Sequence, residues 1–466
     1  MQHTSVIIVG GGPGGYETAI RLSQYEIPCL VIEKERLGGI CLNWGCIPTK
    51  ALVKSAELVS EINEAPSYGL PQIAFDLDYN SIYERKNAIV EQLVSGIEYL
   101  FRKRKIPMVK DTAQNVRKEG GKYIISTLSG EEYSCDYLII ATGSEAKGLP
   151  GIAIDEENIL SSTGILKLNE LPKSLVVVGG GVIGCEFASV FAAFGVQVTI
   201  VEFLPRLVAL EDEEISKRLA LSFKKAGIKV LTGLGVKSVD GTPSGLLVTL
   251  SDGNSMYADK VLLSVGRVPV NNLSWEDEAP KENRGAIVID GYMRSSLEKV
   301  YAIGDVTAKL QLAHTASKQG LMVAQHIAEL EGKQEYNYHE LNYHNIPRCT
   351  FTNPEIASVG YTHAEATELF GEITVGKFPY TANGKAMSMN ATTGFVKTIA
   401  RKDTQELVGM HIMGHGAAEL IAQGAILIAN KNTAADVESI VFAHPTLSET
   451  IMESIEDLHN LSIHKI

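Results

Sequence analysis

Long apolar runs are missing from this sequence. No stretch reaches the roughly 20 apolar residues needed to cross a bilayer. Residues 187–201 come nearest, but Gln197 interrupts them and Glu186 and Glu202 bracket them. Neither a membrane protein nor a membrane partner is expected. Basic charge is also short: 42 Lys and Arg stand against 55 Asp and Glu, a net charge of −13. A nucleic-acid binder needs a positive surface to meet phosphates, so that class is set aside. Cysteine is scarce, with six in 466 residues, which is no disulfide scaffold. No leader-type segment is read at the start, where the strand-like run Ser5-Val6-Ile7-Ile8-Val9 begins almost at once. The expected location is the cytoplasm.

What the chain does contain is an internal repeat. Val6-Ile7-Ile8-Val9 leads into Gly10-Gly11-Gly12-Pro13-Gly14-Gly15, and Leu175-Val176-Val177-Val178 leads into Gly179-Gly180-Gly181-Val182-Ile183-Gly184. Each copy is a buried-type strand, a G-x-G-x-x-G turn and a helix-like stretch. Each is followed by a second apolar strand ending in an acid, Glu33 or Glu202, at the same offset. Alone, such a turn is a weak signal; with strand before and acid-tipped strand after, it reads as a dinucleotide site. The first glycine makes the turn, the second admits a pyrophosphate, and the third lets helix and strand pack closely. The helix N-terminus supplies free N–H groups to the phosphates. Glu33 and Glu202 would accept hydrogen bonds from ribose hydroxyls. Glu202 would also repel a 2′-phosphate, and the next basic residue is Arg206, so NAD is favoured over NADP at the second site.

Two sites imply two dinucleotides, a flavin and a nicotinamide. The strand Val300-Tyr301-Ala302-Ile303 ends in Gly304-Asp305, where an Asp can bind ribityl hydroxyls of FAD. Leu138 to Ile140 runs into Ala141-Thr142-Gly143-Ser144, and its counterpart Val261 to Val265 runs into Gly266-Arg267.

Only two cysteines are close together, in Gly39-Ile40-Cys41-Leu42-Asn43-Trp44-Gly45-Cys46-Ile47-Pro48-Thr49-Lys50. Such a pair in a reducing compartment reads as catalytic or metal-binding. A zinc site lacks a second Cys or His cluster at ligand spacing. In a regular helix, residues five apart are separated by roughly 7.5 Å of rise. A bridged pair needs its Cα atoms within about 7 Å. The spacing therefore predicts a loop or a distorted first helical turn, with a helix continuing through Lys50. A thiol at a helix start is more acidic and more reactive.

With these motifs in view, the chain resembles the flavoprotein disulfide reductases, most of all the dihydrolipoamide dehydrogenases. The Cys-x₄-Cys segment, both dinucleotide turns, Gly304-Asp305, Ala313-His314 and Ala443-His444-Pro445-Thr446-Leu447-Ser448-Glu449 carry the likeness over nearly the whole length. It implies an α/β fold with two Rossmann-like dinucleotide-binding domains, for FAD and NAD, and a C-terminal α+β dimerisation domain. The expected divisions are 1–145 (FAD), 146–267 (NAD), 268–340 (a central segment completing the FAD site) and 341–466 (interface). The polar, aromatic run Glu335 to Glu340 reads as a connector.

The resemblance also implies roles. Cys41 would exchange with the substrate's sulfur and Cys46 would lie against the flavin. Lys50 would approach the flavin and pair with Glu186. His444 would be the base, oriented by Glu449 and supplied by the other subunit of a homodimer. The cofactor-binding positions would be Gly10, Gly12, Gly14, Gly15, Glu33, Lys34, Gly39, Lys50, Ala113, Thr142, Gly143, Ser144, Asp305 and Ala313, together with Gly179, Gly181, Gly184, Glu202, Val236, Gly266 and Arg267. No resident metal is implied. The implied reaction oxidises protein-bound dihydrolipoamide and reduces NAD⁺. Partners would be lipoyl domains and the acyltransferase core of 2-oxoacid dehydrogenase complexes, or a glycine-cleavage system. The alternatives are glutathione reductase, mercuric reductase or a chiefly structural flavin-bearing subunit. Ile40, Trp44, Thr49 and Phe442 depart from the commoner Thr, Val, Ser and His of the family pattern.

Overall fold

The computed structural model describes residues 1–335 and 339–465. The middle of the expected connector, Tyr336, Asn337 and Tyr338, lies outside the described residues. The chain divides into two compact units. One holds Met1–Ala51, Asn80–Lys147 and Gly266–Leu341; the other holds Leu52–Tyr79, Gly148–Val265 and Asn342–Ile466. Among the described residues, no helix is long and apolar enough to cross a membrane.

The first unit is built on Gln2–Val9, whose Val6, Ile7 and Ile8 are fully buried. A strand buried on both faces belongs in the middle of a parallel sheet, and this one pairs in parallel on both sides. Val9 stands opposite Ile32 of Cys29–Glu33 and Ile140 of Glu132–Ile140. Met108–Lys110 extends the sheet beyond Cys29–Glu33, and Val300–Ala302 adds to Glu132–Ile140, both in parallel. Helices Pro13–Gln24 and Ala313–Leu330 cross closely. A Cβ on Gly320 would come 2.1 Å from Thr18 Oγ1, so glycine is required at the crossing.

The second unit repeats this order. Lys229–Thr232, Gln197–Glu202, Ser174–Val178, Lys260–Leu263 and Ile159–Leu160 lie side by side in parallel. Counted from the strand that leads into each glycine turn, the third, second, first and fourth parallel strands are neighbours in both units, the doubly wound arrangement that places ligands at the strand C-termini. The unit also contains a five-stranded antiparallel sheet, Arg348–Thr350, Ile356–Gly360, Leu407–Met413, Phe395–Arg401 and Ile373–Pro379 in spatial order. Helices Ala417–Ala429 and Glu449–Glu456 contribute to its hydrophobic core through Leu420, Ile421, Ile451 and Ile455. The fold is thus α/β with two dinucleotide-type folds and a C-terminal α+β region.

One charge pair is buried in the second unit. Asp212 caps helix Glu213–Lys225, and both its oxygens accept from Lys397 Nζ at 2.8 Å. The side chains are 2% and 5% exposed. Burial works against the charge of Asp212, but Lys397 and the neighbouring donors hold its carboxyl down at about 2. Because the folded value is depressed, this contribution to stability is complete above about pH 4 and fades as pH falls towards 2. Lys397→Met leaves the carboxylate buried without its cation and should cost about 3–5 kcal/mol, and adding Asp212→Leu should restore most of that. Melting temperatures at neutral pH and at about pH 3 check both, the parent losing more than the double variant on acidification.

Candidate functional site: a redox pair and two dinucleotide turns

The redox segment begins where Gly38 and Gly39 turn the chain. A short helix, Gly39–Trp44, carries Cys41, Gly45 ends it, and Cys46 opens the 19-residue helix Cys46–Glu64. The structure therefore has two helical pieces where the spacing alone suggested a loop or one distorted turn. The break at Gly45 brings them close, since a Cβ there would stand 2.9 Å from the Ile40 carbonyl oxygen and 3.2 Å from Cys41 Cα. Thr49 donates its hydroxyl to the Gly45 carbonyl at 2.6 Å, and Pro48 sits in the first turn, where its missing N–H costs no helical bond.

Both cysteines are thiols here, and their side chains hydrogen-bond to each other. That bond, with burial, pushes the Cys41 thiol far above its ordinary value, against the opposing charge of Lys50 one helical turn beyond Cys46. The two sulfurs are unequal in exposure: Cys41 is half-buried and Cys46 is exposed.

A candidate base lies in the second unit. His444 Nδ1 and Glu449 Oε1 are 2.8 Å apart, and Glu449 Oε2 accepts from the Thr446 amide at 2.8 Å. The carboxylate, at the start of Glu449–Glu456, is 19% exposed, whereas the imidazole is 77% exposed. A ring held at Nδ1–H by a carboxylate offers Nε2 to take a proton. Glu186, 5% exposed, accepts from the Phe351 amide through Oε1 at 2.9 Å.

The two glycine turns match in detail. Gly10 and Gly179 have φ +109° and +107°, a region that L side chains avoid. A Cβ on Gly15 would lie 1.9 Å from the Gly10 carbonyl oxygen, and on Gly184 it would lie 2.0 Å from that of Gly179. Gly12 and Gly181 precede the helices Pro13–Gln24 and Val182–Ala193; a Cβ on Gly181 would face open space, and one on Gly12 would meet only Gly39 Cα, at 3.9 Å. Gly14 packs instead on Ala316 and Ile303, away from that opening, and Gly39 backs onto Gly12. The acids do more than expected. Glu33 accepts from the amides of Gly11 at 2.6 Å and Glu35 at 2.8 Å, and Glu202 accepts from those of Gly180 and Leu204. Each carboxylate thus closes its own turn while keeping lone pairs for a ribose.

Three expected cofactor residues meet in the first unit. Ser144 donates to Asp305 at 2.5 Å, and Arg267 donates to the Ser144 hydroxyl and carbonyl at 2.7 Å each. Burial lowers the Arg267 pKa, while the charges of Asp305 and Cys46 oppose that shift. The Thr142 hydroxyl donates to the Val270 carbonyl at 2.5 Å, and Gly143 and Gly266 turn the chain with positive φ. Ala113 and Val236 open the strands Ala113–Glu119 and Val236–Thr242. Ala313 is the first residue of Ala313–Leu330, so its amide has no acceptor within the helix. Lys34 is exposed and pairs loosely with Glu35 at 3.9 Å. These groups fit a dinucleotide at each turn: an open glycine, a helix start and an acid at ribose range, with Asp305 as a further acceptor at the first. Among the described residues, no cluster suited to a metal is present.

The model of the pyridine nucleotide-disulphide oxidoreductases matches residues 4–320, and that of their dimerisation domain matches residues 346–455. The chain belongs to this family. A dihydrolipoyl dehydrogenase of Zymomonas mobilis is 37% identical over 470 residues, with 99% of each chain covered. One from Bacillus subtilis is 38% identical over 467 residues, covering 99% of this chain and 100% of that one. Among solved structures, LpdA from Mycobacterium tuberculosis has a TM-score of 0.88 at 25% identity, covering 98% of this chain and 100% of that one. The HOCl-induced flavoprotein disulfide reductase RclA from Escherichia coli has a TM-score of 0.85 at 26% identity, covering 97% and 99%.

Three further residues belong to the site's surroundings. Asn43, 6% exposed, donates to the Leu37 and Gly39 carbonyls at 3.0 and 2.9 Å and braces the turn before Cys41. Its place between the cysteines was the available signal. Fully buried Gln319 accepts from the Gly304 amide at 2.6 Å, and Tyr16 lies in the field of the Cys41 sulfur. Neither has a local signal, because each meets its partner only in the folded chain. The glycine contacts generate a paired expectation. Gly15→Ala should yield protein that retains little flavin, whereas Gly184→Ala should keep flavin and weaken NAD⁺ binding at least about tenfold. The flavin-to-protein absorbance ratio and calorimetric titration measure the two.

Proposed function

We propose that this chain is a dihydrolipoyl dehydrogenase, oxidising protein-bound dihydrolipoamide to lipoamide with NAD⁺ as acceptor. The observation that carries the reading is the unequal pair Cys41 and Cys46 at a helix start beside a dinucleotide turn. Full-length similarity to proteins named dihydrolipoyl dehydrogenase supports the choice of substrate. The protein is a homodimer binding FAD and NAD and works in the cytoplasm. Its partners are lipoyl domains and the acyltransferase core of a 2-oxoacid dehydrogenase complex, or a glycine-cleavage system. Glu202 supports NAD over NADP, since its carboxylate repels a 2′-phosphate.

The residues take these parts. His444 of the partner subunit, oriented by the partner's Glu449, removes a proton from the substrate dithiol. The substrate thiolate attacks Cys41 of the oxidised pair, the Cys41–Cys46 bond breaks, and Cys46 leaves as thiolate. The second substrate sulfur displaces Cys41, releasing the cyclic disulfide and leaving the enzyme pair reduced. Bound FAD supplies the two-electron relay from that pair to NAD⁺. Lys50 and Glu186 set the charge around the relay, Asp305 and Ser144 hold the ribityl region, and Arg267 fixes Ser144.

Side-by-side reduction of lipoamide, glutathione disulfide and mercuric ion with NADH and with NADPH tests the reading. Lipoamide with NADH should be turned over fastest, and activity confined to glutathione disulfide with NADPH would overturn it. His444→Gln should lower kcat at least about 10²-fold, with a flattened pH profile.

A further inference from the structure

Residues 203–212 follow Glu202 and lead to helix Glu213–Lys225, and they are held from two sides. At the glycine turn, Val208 donates its amide to the Gly180 carbonyl at 2.8 Å, and the Leu204 amide reaches Glu202 Oε1 at 2.6 Å. Leu207 packs beneath the same turn, where a Cβ on Gly180 would stand 2.5 Å from it. At the far end, Glu211 accepts from Arg348 Nε at 3.2 Å and from the Ser358 hydroxyl, while Asp212 is bound to Lys397. The loop is therefore anchored at once to the nucleotide turn and to the C-terminal sheet.

Its centre is Arg206. Nη2 donates to the Ala209 carbonyl at 2.6 Å, and Nη1 donates to the Glu211 carbonyl at 2.9 Å and the Ser216 hydroxyl at 3.3 Å. The guanidinium thus closes the loop on itself. An arginine this close after the ribose acid is where a dinucleotide fold finds a cation for a 2′-phosphate. Here, turning it outward would strip two main-chain carbonyls of their donor, and orphaned carbonyls are costly.

Resting on the reading of this turn as the NAD site, we infer that Arg206 is a positioning and specificity-determining residue. It shapes the 203–212 loop so that Glu202 is presented to the adenosine ribose, and it is withheld from a 2′-phosphate. Discrimination against NADP then has two parts, a repelling carboxylate and a cation locked away from the ligand.

Calorimetric titration of the oxidised holoenzyme with NAD⁺ and NADP⁺ tests this. Arg206→Met should raise the Kd for NAD⁺ about tenfold, and Arg206→Lys, which keeps charge but lacks the planar fork, should not rescue it. In steady state the loss should fall on KM for NAD⁺ rather than on kcat, which a general loss of folding would not produce. In a Glu202→Val background, where no carboxylate is left to present, adding Arg206→Met should cost NAD⁺ much less than tenfold and change NADP⁺ binding by the same small factor. Parent-like NAD⁺ binding in Arg206→Met, or an extra loss confined to NADP⁺ in the Glu202→Val background, would overturn the inference. A parent enzyme that binds NADP⁺ more tightly than NAD⁺ would instead overturn the NAD reading itself. If Arg206→Met does not fold, Ser216→Ala removes one acceptor and should raise the NAD⁺ Kd about twofold, and no change there would count against the role.

Discussion

A Cβ on Gly15 would come 1.9 Å from the carbonyl oxygen of Gly10, and the rest of the first dinucleotide fold depends on that closeness. Because no side chain intervenes, the helix starts directly on the strand end, and its free amides face the strand C-termini. Glu33 closes the turn by accepting from Gly11, and Gly39 backs onto Gly12, so the turn also fixes where the redox segment begins. The second fold repeats the constraint with Gly184 on Gly179 and Glu202 on Gly180. One packing solution, used twice, thus sets both proposed nucleotide sites.

The asymmetry of the cysteines follows from the same local geometry. Gly45 breaks the helix between them, so Cys41 ends up in a short helix and Cys46 at the head of a long one. Their side chains hydrogen-bond, and Cys41 is half-buried while Cys46 is exposed. Thiol exchange at such a pair calls for a base. His444 has the right form for one: an exposed imidazole whose Nδ1 is fixed by Glu449, itself fixed by the Thr446 amide.

In the second unit, buried charge adds a further constraint to the glycine packing. Asp212 caps a helix and binds Lys397, which lies 185 residues away in the chain, while Glu211 binds Arg348 and Ser358. These contacts pin the loop after Glu202 to the C-terminal sheet, so the shape of the proposed nucleotide site depends on a distant part of the chain. Fully buried His411 lies beside this cluster, with Nε2 donating to the Tyr361 carbonyl at 3.0 Å and burial lowering its pKa.

The sequence alone was enough to determine the two glycine turns, their acid-tipped strands, the close cysteine pair and the His444–Glu449 spacing. Those features are local: strand period, glycine offset and helix start are written in neighbouring residues. Glu33 and Glu202 were legible as ribose acids, but not as the groups that also close their own turns. That role needs strand and turn brought together. Tertiary structure alone decided the two-helix break around Gly45, the Ser144–Asp305–Arg267 cluster, the lock on Arg206 and the Asp212–Lys397 pair. The family resemblance already gave Cys41 and Cys46 different roles. The fold adds a difference in exposure, Cys41 half-buried and Cys46 exposed, which only the folded backbone can set.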